Sequence, residues 1–149
     1  MIERIQISDQ LFVGAQPIEE QLRNMAREGI KSVVNLRAAG EEDQPLSLEE
    51  EGAKARELGL QYLYIPVSLK DMRPDQVDQF REELKRLPGP VFVHYHKGKR
   101  AGAFAMMHAA VEAGRTGEQT LAQAEQMGFE CDVPALKEFV RGYVDRQRK

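Results

Sequence analysis

The sequence has a single cysteine, Cys131, and no long apolar segment. One cysteine excludes a disulfide within the chain and suits a reducing compartment. No stretch approaches the roughly 20 apolar residues that a membrane-spanning helix needs. The first ten residues lack the apolar run of a signal peptide. These absences predict a cytoplasmic protein with no membrane partner.

The chain also lacks an excess of positive charge. It has 21 Lys and Arg residues against 24 Asp and Glu residues, which gives a formal net charge of −3. This balance provides no general attraction to nucleic acid or to an acidic membrane. We therefore expect no nucleic-acid partner, and any anion binding must come from a local cluster of groups.

Internal repeats, low-complexity tracts and linker-like stretches are absent as well. A chain of 149 residues is long enough to bury a core without disulfides or metals. Its 42% hydrophobic and 30% charged residues are typical of a soluble globular protein. We predict a single domain over residues 1–149, and no feature of the sequence sets its oligomeric state.

What the sequence does contain is a regular alternation of strand and helix patterns. The predicted strands are Leu11–Val13, Lys31–Arg37, Gln61–Val67 and Val91–Val93. Helices are predicted from Pro17 to Gly29, Ser47 to Gly59, Pro74 to Leu87 and Ala101 to Ala113, then after a capping box at Thr116–Gln119 and after Asp132. This alternation predicts a three-layer α/β fold, with a mostly parallel central sheet flanked by helices.

The segment Val91–Phe104 (VFVHYHKGKRAGAF) joins a predicted strand to a helix through a basic turn. In parallel sheets, ligands bind beyond the carboxyl ends of the strands. The backbone N–H groups of His96–Arg100 can converge on an anion, and the helix N-terminus adds partial positive charge. Gly98 permits a tight turn, and Arg100 offers a planar fork of donors that matches phosphate or sulfate.

Two lysines, Lys97 and Lys99, add charge to this turn. The order of strand, glycine, arginine and small-residue helix favours an anion-binding loop, and the alternative is an ordinary turn with solvated basic side chains. A nucleotide-binding P-loop is excluded. Val93 stands where its first glycine is required, and Arg100 stands where it needs Ser or Thr.

Four short motifs together resemble the bacterial DUF442 family, the phosphatase-like domain named after β-lactamase-hydrolase-like proteins. They are Gly14-Ala15-Gln16-Pro17, Val34-Asn35-Leu36-Arg37, Ile65-Pro66-Val67 and His94-Tyr95-His96-Lys97-Gly98-Lys99-Arg100-Ala101. The resemblance extends from Ile5 to Ala113. It implies the fold of the cysteine-dependent dual-specificity phosphatases, with a loop that reads His-Cys-x-x-Gly-x-Arg.

The resemblance places Tyr95 at the position of the family's nucleophilic cysteine. Family members attack phosphorus with a thiolate that the loop dipoles stabilise. A phenol has an unperturbed pKa of about 10, is a weaker nucleophile toward phosphorus, and carries a longer ring that fills part of the pocket. Cys131 lies far downstream and is expected to be a structural thiol. This departure from the motif predicts a pseudophosphatase.

Other residues take roles from the same comparison. Asp71 follows the Ile-Pro-Val motif, where phosphatases of this fold place a general acid, but it also fits a solvated loop carboxylate. We expect His94 to hydrogen-bond within the fold and to order the loop. His96 is a candidate phosphoryl acceptor. No carboxylate lies close in sequence to complete a metal site with these histidines or His108, so we expect no metal and no cofactor.

Three functions remain open at this point. The first is a pseudophosphatase whose partner is a phosphorylated or sulfated small molecule or a phosphoprotein. The second is a hydrolase that uses Tyr95, His96 or an activated water as nucleophile, with Asp71 and Arg100 assisting. The third is a protein-interaction module with an empty cleft. Fusion of some relatives to metallo-hydrolase or sulfur-handling domains suggests, by association only, a link to sulfur or redox metabolism.

Overall fold

The computed structural model describes residues 4–15, 17–36, 48–65, 73–95, 100–126 and 134–147. The strands in these segments are β1 (Arg4–Ser8), β2 (Leu11–Ala15), β3 (Ser32–Asn35), β4 (Gln61–Tyr64) and β5 (Val91–Tyr95). The helices are α1 (Glu19–Glu28), α2 (Leu48–Glu57), α3 (Pro74–Arg86), α4 (Arg100–Ala113), α5 (Gly117–Gln126) and α6 (Pro134–Gln147).

The strands form one five-stranded sheet in the order β1-β2-β5-β3-β4. The pairs β2–β5, β5–β3 and β3–β4 are parallel, and only the edge strand β1 runs antiparallel to its neighbour. The predicted α/β fold with a mostly parallel sheet is therefore confirmed. Strand β1 was not predicted, although Ile5 and Ile7 alternate with polar residues in the two-residue period of a strand.

Strand β5 is longer than predicted. The expected end at Val93 is wrong, because His94 and Tyr95 still pair with Gly14 and Ala15 of β2, and His94 also pairs with Asn35 of β3. A central strand with a partner on both sides continues as long as either partner does. Strand β5 therefore ends at Tyr95.

The helices cover both faces of the sheet. Helices α1 and α2 cover one face, where Leu22, Met25, Val33, Ala55 and Phe92 form a buried cluster. The larger cluster on the other face includes Val34, Phe80, Val93, Phe104 and Tyr143. Adjacent residues in β3 and β5 thus point to opposite faces, as strand geometry requires, and burial of each large side chain contributes about 1.5–3 kcal/mol.

Local signals set the helix ends as expected. Gly29 and Gly114 adopt φ angles of 100° and 73° after α1 and α4, a left-handed conformation that costs glycine little. The predicted capping box before α5 is present. The Gln119 N–H donates to Thr116 Oγ1 at 3.1 Å, and the Thr116 N–H donates to Gln119 Oε1 at 2.9 Å. The predicted caps Ser47 and Asp132 lie outside the described residues.

Met106 and Met107 lie in the core of the sheet–helix interface, where they are 1% and 0% exposed. Both side chains therefore serve to pack the core. None of the helices in the described part of the chain has the length and apolar character that a bilayer crossing requires.

Candidate functional site

The carboxyl ends of the four parallel strands lie at one edge of the sheet. At this edge Asn35 of β3 is in register with both Tyr64 of β4 and His94 of β5. Tyr95 is the last residue of β5, and Arg100 is the first residue of α4. The end of β5 and the start of α4 therefore flank residues 96–99, which lie within the predicted anion-binding motif.

Several predicted site residues lie outside the described part of the chain. These are Asp71, His96, Lys97, Gly98 and Lys99. Cys131, which was expected to be a structural thiol, lies outside it as well. Tyr95 and Arg100 are placed by their backbones, and their side chains are not described. The predicted convergence of these groups on an anion thus stays a prediction.

His94 is the predicted site residue whose surroundings are fully described. Its side chain is completely buried, and its Nε2 forms a short hydrogen bond with Oε2 of Glu51, which is also completely buried. The imidazole ring stacks on Phe92, with 6.1 Å between the ring centroids. Its Nδ1 has no hydrogen-bond partner within the described segments. These contacts fix the side chain immediately before Tyr95.

Glu51 was not identified from the sequence. It is the third of three consecutive glutamates in the first turn of α2. It lies on a different face of the helix from the other two. Glu49 and Glu50 are exposed, whereas Glu51 and Ala55, one turn apart, face the sheet and are buried. The four-residue spacing from Glu51 to Ala55 is the signal that would have revealed it.

Glu51 and His94 are both ionisable, and both are removed from water in the folded chain. An isolated carboxylate in the interior costs several kcal/mol, so buried ionisable groups are paired. Glu51 and His94 meet this requirement because each is a hydrogen-bond partner of the other. The pair therefore adds polarity beneath the end of β5.

A second, partly buried hydrogen bond lies near this pair. Asn35 Nδ2 donates to the phenol oxygen of Tyr62 at 3.0 Å. Burial of Tyr62 raises the pKa of its phenol, the negative charge of Glu51 raises it further, and the hydrogen bond from Asn35 lowers it. Tyr62 is therefore a neutral phenol throughout the physiological range of pH.

Helix α2 lies unusually close to β4 at this point. A Cβ atom placed on Gly52 would lie 3.2 Å from Cδ2 of the Tyr62 ring, which is closer than ordinary van der Waals contact. Glycine at this position lets Glu51 reach His94 while the helix rests on Tyr62. Side chains from β3, β4, β5 and α2 thus form two polar contacts near the carboxyl ends of the strands, Glu51 with His94 and Asn35 with Tyr62.

The histidines considered for a metal site do not all come together. His94 contacts Glu51 and Phe92 on the face covered by α1 and α2. His108 lies on the other face, where its ring meets Phe80 edge-on at 6.5 Å. Within the segments that the structure describes, no group of three or more His, Cys, Asp or Glu side chains could hold a metal ion.

The mixed sheet flanked by helices is the architecture of a phosphatase-like α/β protein, and solved phosphatase structures superpose on it. TpbA from P. aeruginosa gives a TM-score of 0.77 at 25% identity, covering 99% of this chain and 89% of that chain. The core catalytic domain of the PP-IP phosphatase SIW14 from S. cerevisiae gives 0.74 at 13% identity, covering 96% and 88%.

Residues 4–114 match the family described as "Beta-lactamase hydrolase-like protein, phosphatase-like domain", and the chain belongs to this family. The similar beta-lactamase hydrolase-like protein from Xylella fastidiosa (strain Temecula1) is 28% identical over 126 residues. That match covers 85% of this chain but only 29% of the Xylella protein. The family resemblance in the sequence is thereby confirmed.

Proposed function

We propose that this chain binds a phosphate- or sulfate-bearing ligand at the carboxyl edge of its sheet and does not turn it over by cysteine chemistry. One observation carries the proposal: Tyr95 ends the central strand β5 and Arg100 begins α4. The residues between them hold the glycine and basic side chains of the His-Tyr-x-x-Gly-x-Arg sequence.

The charges around α4 support an anion at this position. The first turn of α4, like that of α6, contains no acidic residue, whereas those of α1, α2, α3 and α5 each contain at least one. The partial positive charge at the N-terminus of α4 is therefore left for a ligand. In the proposal, the backbone N–H groups of residues 96–100 hold the oxyanion, and the Arg100 guanidinium holds two of its oxygens.

The ligands of structural relatives are consistent with this class of ligand. A TpbA variant, 24% identical to this chain, was solved in complex with pTyr, and the SIW14 domain was solved in complex with citrate. Both ligands carry oxyanion groups. For this chain we infer a phosphorylated or sulfated small molecule or phosphoprotein as the partner.

The absence of turnover follows from the residue at the nucleophile position. A neutral phenol at Tyr95 lacks the reactivity of a thiolate, and its ring is longer than a cysteine side chain. In the proposal, Tyr95 gates the anion pocket, and Asp71 has no leaving group to protonate in the absence of an attacking thiolate.

Thermal unfolding with and without tungstate tests the binding. At a hundred times its dissociation constant, a ligand stabilises the folded state by about 2.7 kcal/mol, so we expect tungstate to raise the melting temperature of the wild type. Arg100→Ala should lose this increase, and the exposed control Arg146→Ala should keep it. Equal stabilisation of Arg100→Ala would show that the anion site is elsewhere.

Hydrolysis of p-nitrophenyl phosphate tests the proposed lack of turnover. We expect no metal-independent turnover above background. Turnover that Arg100→Ala abolishes would instead establish a hydrolase, and mass spectrometry of a trapped phosphoryl group would then identify Tyr95 or His96 as the nucleophile. If no oxyanion raises the melting temperature, the protein-interaction alternative gains support.

A further inference from the structure

A cavity lies near the amino-terminal ends of strands β2 and β5, whereas the proposed anion loop follows the carboxyl end of β5. Its volume is about 480 Å³, and it is bounded by β1, the first residues of β2 and β5, and the last turns of α3 and α4. Helix α4 has 14 residues, and a helix of that length spans about 20 Å. The cavity and the loop are thus separated by the length of this helix.

The deep wall of the cavity is apolar. Leu11, Leu84 and Val91 line it and are 4–8% exposed. The partly buried side chains of Ile7 and Leu87 extend this wall toward solvent. A cavity of this size and character falls in the range of small-molecule sites, about 300–1,000 Å³, and it suits a ligand with an apolar body.

Two polar groups in the lining lack partners of their own. The Nδ1 atom of His108 is buried and has no hydrogen-bond partner among the residues described. Arg115 takes part in none of the ion pairs found across the described segments. Burial lowers the pKa of His108, which leaves its ring neutral at pH 7, with one nitrogen a donor and the other an acceptor.

The carboxylate in the lining, Glu112, is already neutralised. Its Oε1 lies 3.4 Å from Nη2 of Arg81 and 4.0 Å from Nζ of Lys85. The C-terminus of α4 adds partial negative charge, but two of its carbonyls already accept hydrogen bonds, from Gly114 N–H and Arg115 N–H. The Arg115 guanidinium is therefore the full charge in the lining that remains to be balanced.

We propose that this cavity is a second ligand site, which binds a small molecule with an apolar body and a single carboxylate. The body lies against Leu11, Leu84 and Val91. The carboxylate pairs with the Arg115 guanidinium. This site is independent of the anion loop and of any activity there, because no side chain in its lining belongs to the loop.

Titration of the full chain with hexanoate, followed by NMR, tests this proposal. Hexan-1-ol and hexylamine keep the six-carbon chain and carry a neutral or a positive group in place of the carboxylate. We expect saturable binding of hexanoate, with shifts in the methyl groups of Leu84 and Val91, and at least about tenfold weaker binding of the other two compounds. Hexan-1-ol or hexylamine binding as tightly as hexanoate would overturn the proposal.

Two variants locate the binding in this cavity. Arg115→Gln should weaken hexanoate binding about tenfold relative to the exposed control Arg146→Gln. Ala109→Leu should block binding by filling the cavity, and it should leave tungstate stabilisation unchanged, which also shows that the variant is folded. Hexanoate binding that survives both substitutions, or that is lost in Arg100→Ala, would contradict the assignment.

Discussion

At the scale of single residues, the contact between Glu51 and His94 has the largest energetic consequence. Both side chains are completely buried and each is the other's hydrogen-bond partner. Removing one member of such a pair leaves an uncompensated polar or charged group in the interior. The measured cost of that loss is about 3–5 kcal/mol.

We therefore predict that Glu51→Ala lowers the free energy of unfolding by about 3–5 kcal/mol. The matched control is Glu49→Ala, two residues earlier in the same helix and exposed, which should change it by no more than about 0.5 kcal/mol. Urea unfolding followed by circular dichroism measures both. Similar losses in the two variants would mean that the buried pair contributes nothing specific.

A second residue-scale prediction concerns Tyr95, and it rests on the proposed function. Tyr95→Cys removes the ring and supplies a thiol at the nucleophile position, so it should bind tungstate more tightly and gain turnover of p-nitrophenyl phosphate. The matched variant Tyr95→Ser removes the ring without supplying a thiol. It should bind tungstate but hydrolyse the substrate at least about tenfold more slowly, a difference of about 1.4 kcal/mol in activation free energy.

Comparing tungstate binding and substrate turnover in these two variants distinguishes oxyanion binding from catalysis. If Tyr95→Cys and Tyr95→Ser both fail to bind tungstate, the loop does not hold an oxyanion. If both bind it equally and neither turns over substrate, the scaffold lacks more than the nucleophile, and Asp71 loses its assignment as a general acid.

At the scale of secondary-structure elements, two helical glycines differ in the space around them. Substituting Gly117 and Gly142 by alanine should therefore change stability in opposite directions. A Cβ on Gly117 of α5 would lie 2.6 Å from the carbonyl oxygen and 2.7 Å from Cα of Arg141 in α6. This backbone cannot move aside without separating the helices. A Cβ on Gly142 would meet only Nη1 of Arg146, at 3.4 Å, the mobile end of a long side chain.

We predict that Gly117→Ala destabilises the fold by about 1–3 kcal/mol, the usual cost of overpacking. Gly142→Ala should instead stabilise it by about 0.5–1 kcal/mol, because alanine is the better helix former. Thermal and urea unfolding of the two variants provide the comparison. A stabilised Gly117→Ala would show that α5 and α6 can separate at little cost.

The elements themselves were largely predictable because their signals are local. The helical period of Val77, Phe80 and Leu84 and the glycines after α1 and α4 depend only on neighbours in the sequence. The length of β5 was not predictable in this way, because it is set by pairing with strands from distant parts of the chain. The role of Glu51 was hidden for the same reason, since its partner lies 43 residues away.

At the scale of the whole molecule, the two proposed sites lie at opposite ends of the parallel strands. The loop motif was recognisable from the sequence because its residues are contiguous. The cavity was not, because Leu11, Leu84, Val91 and Arg115 converge only in the folded chain. Sequence reasoning thus identified the family, whereas the cavity depends on tertiary structure.

The central place of β5 has a consequence for biosynthesis. Before residues 91–95 leave the ribosome, β1–β2 and β3–β4 are two separate pairs, since their only link within the described sheet is β5. Until the segments up to Tyr95 are translated, neither pair can join the sheet, and the apolar side chains that later pack against β5 stay exposed to water. The nascent chain is therefore most dependent on chaperones in that interval, and it commits to its final form only when the central strand docks.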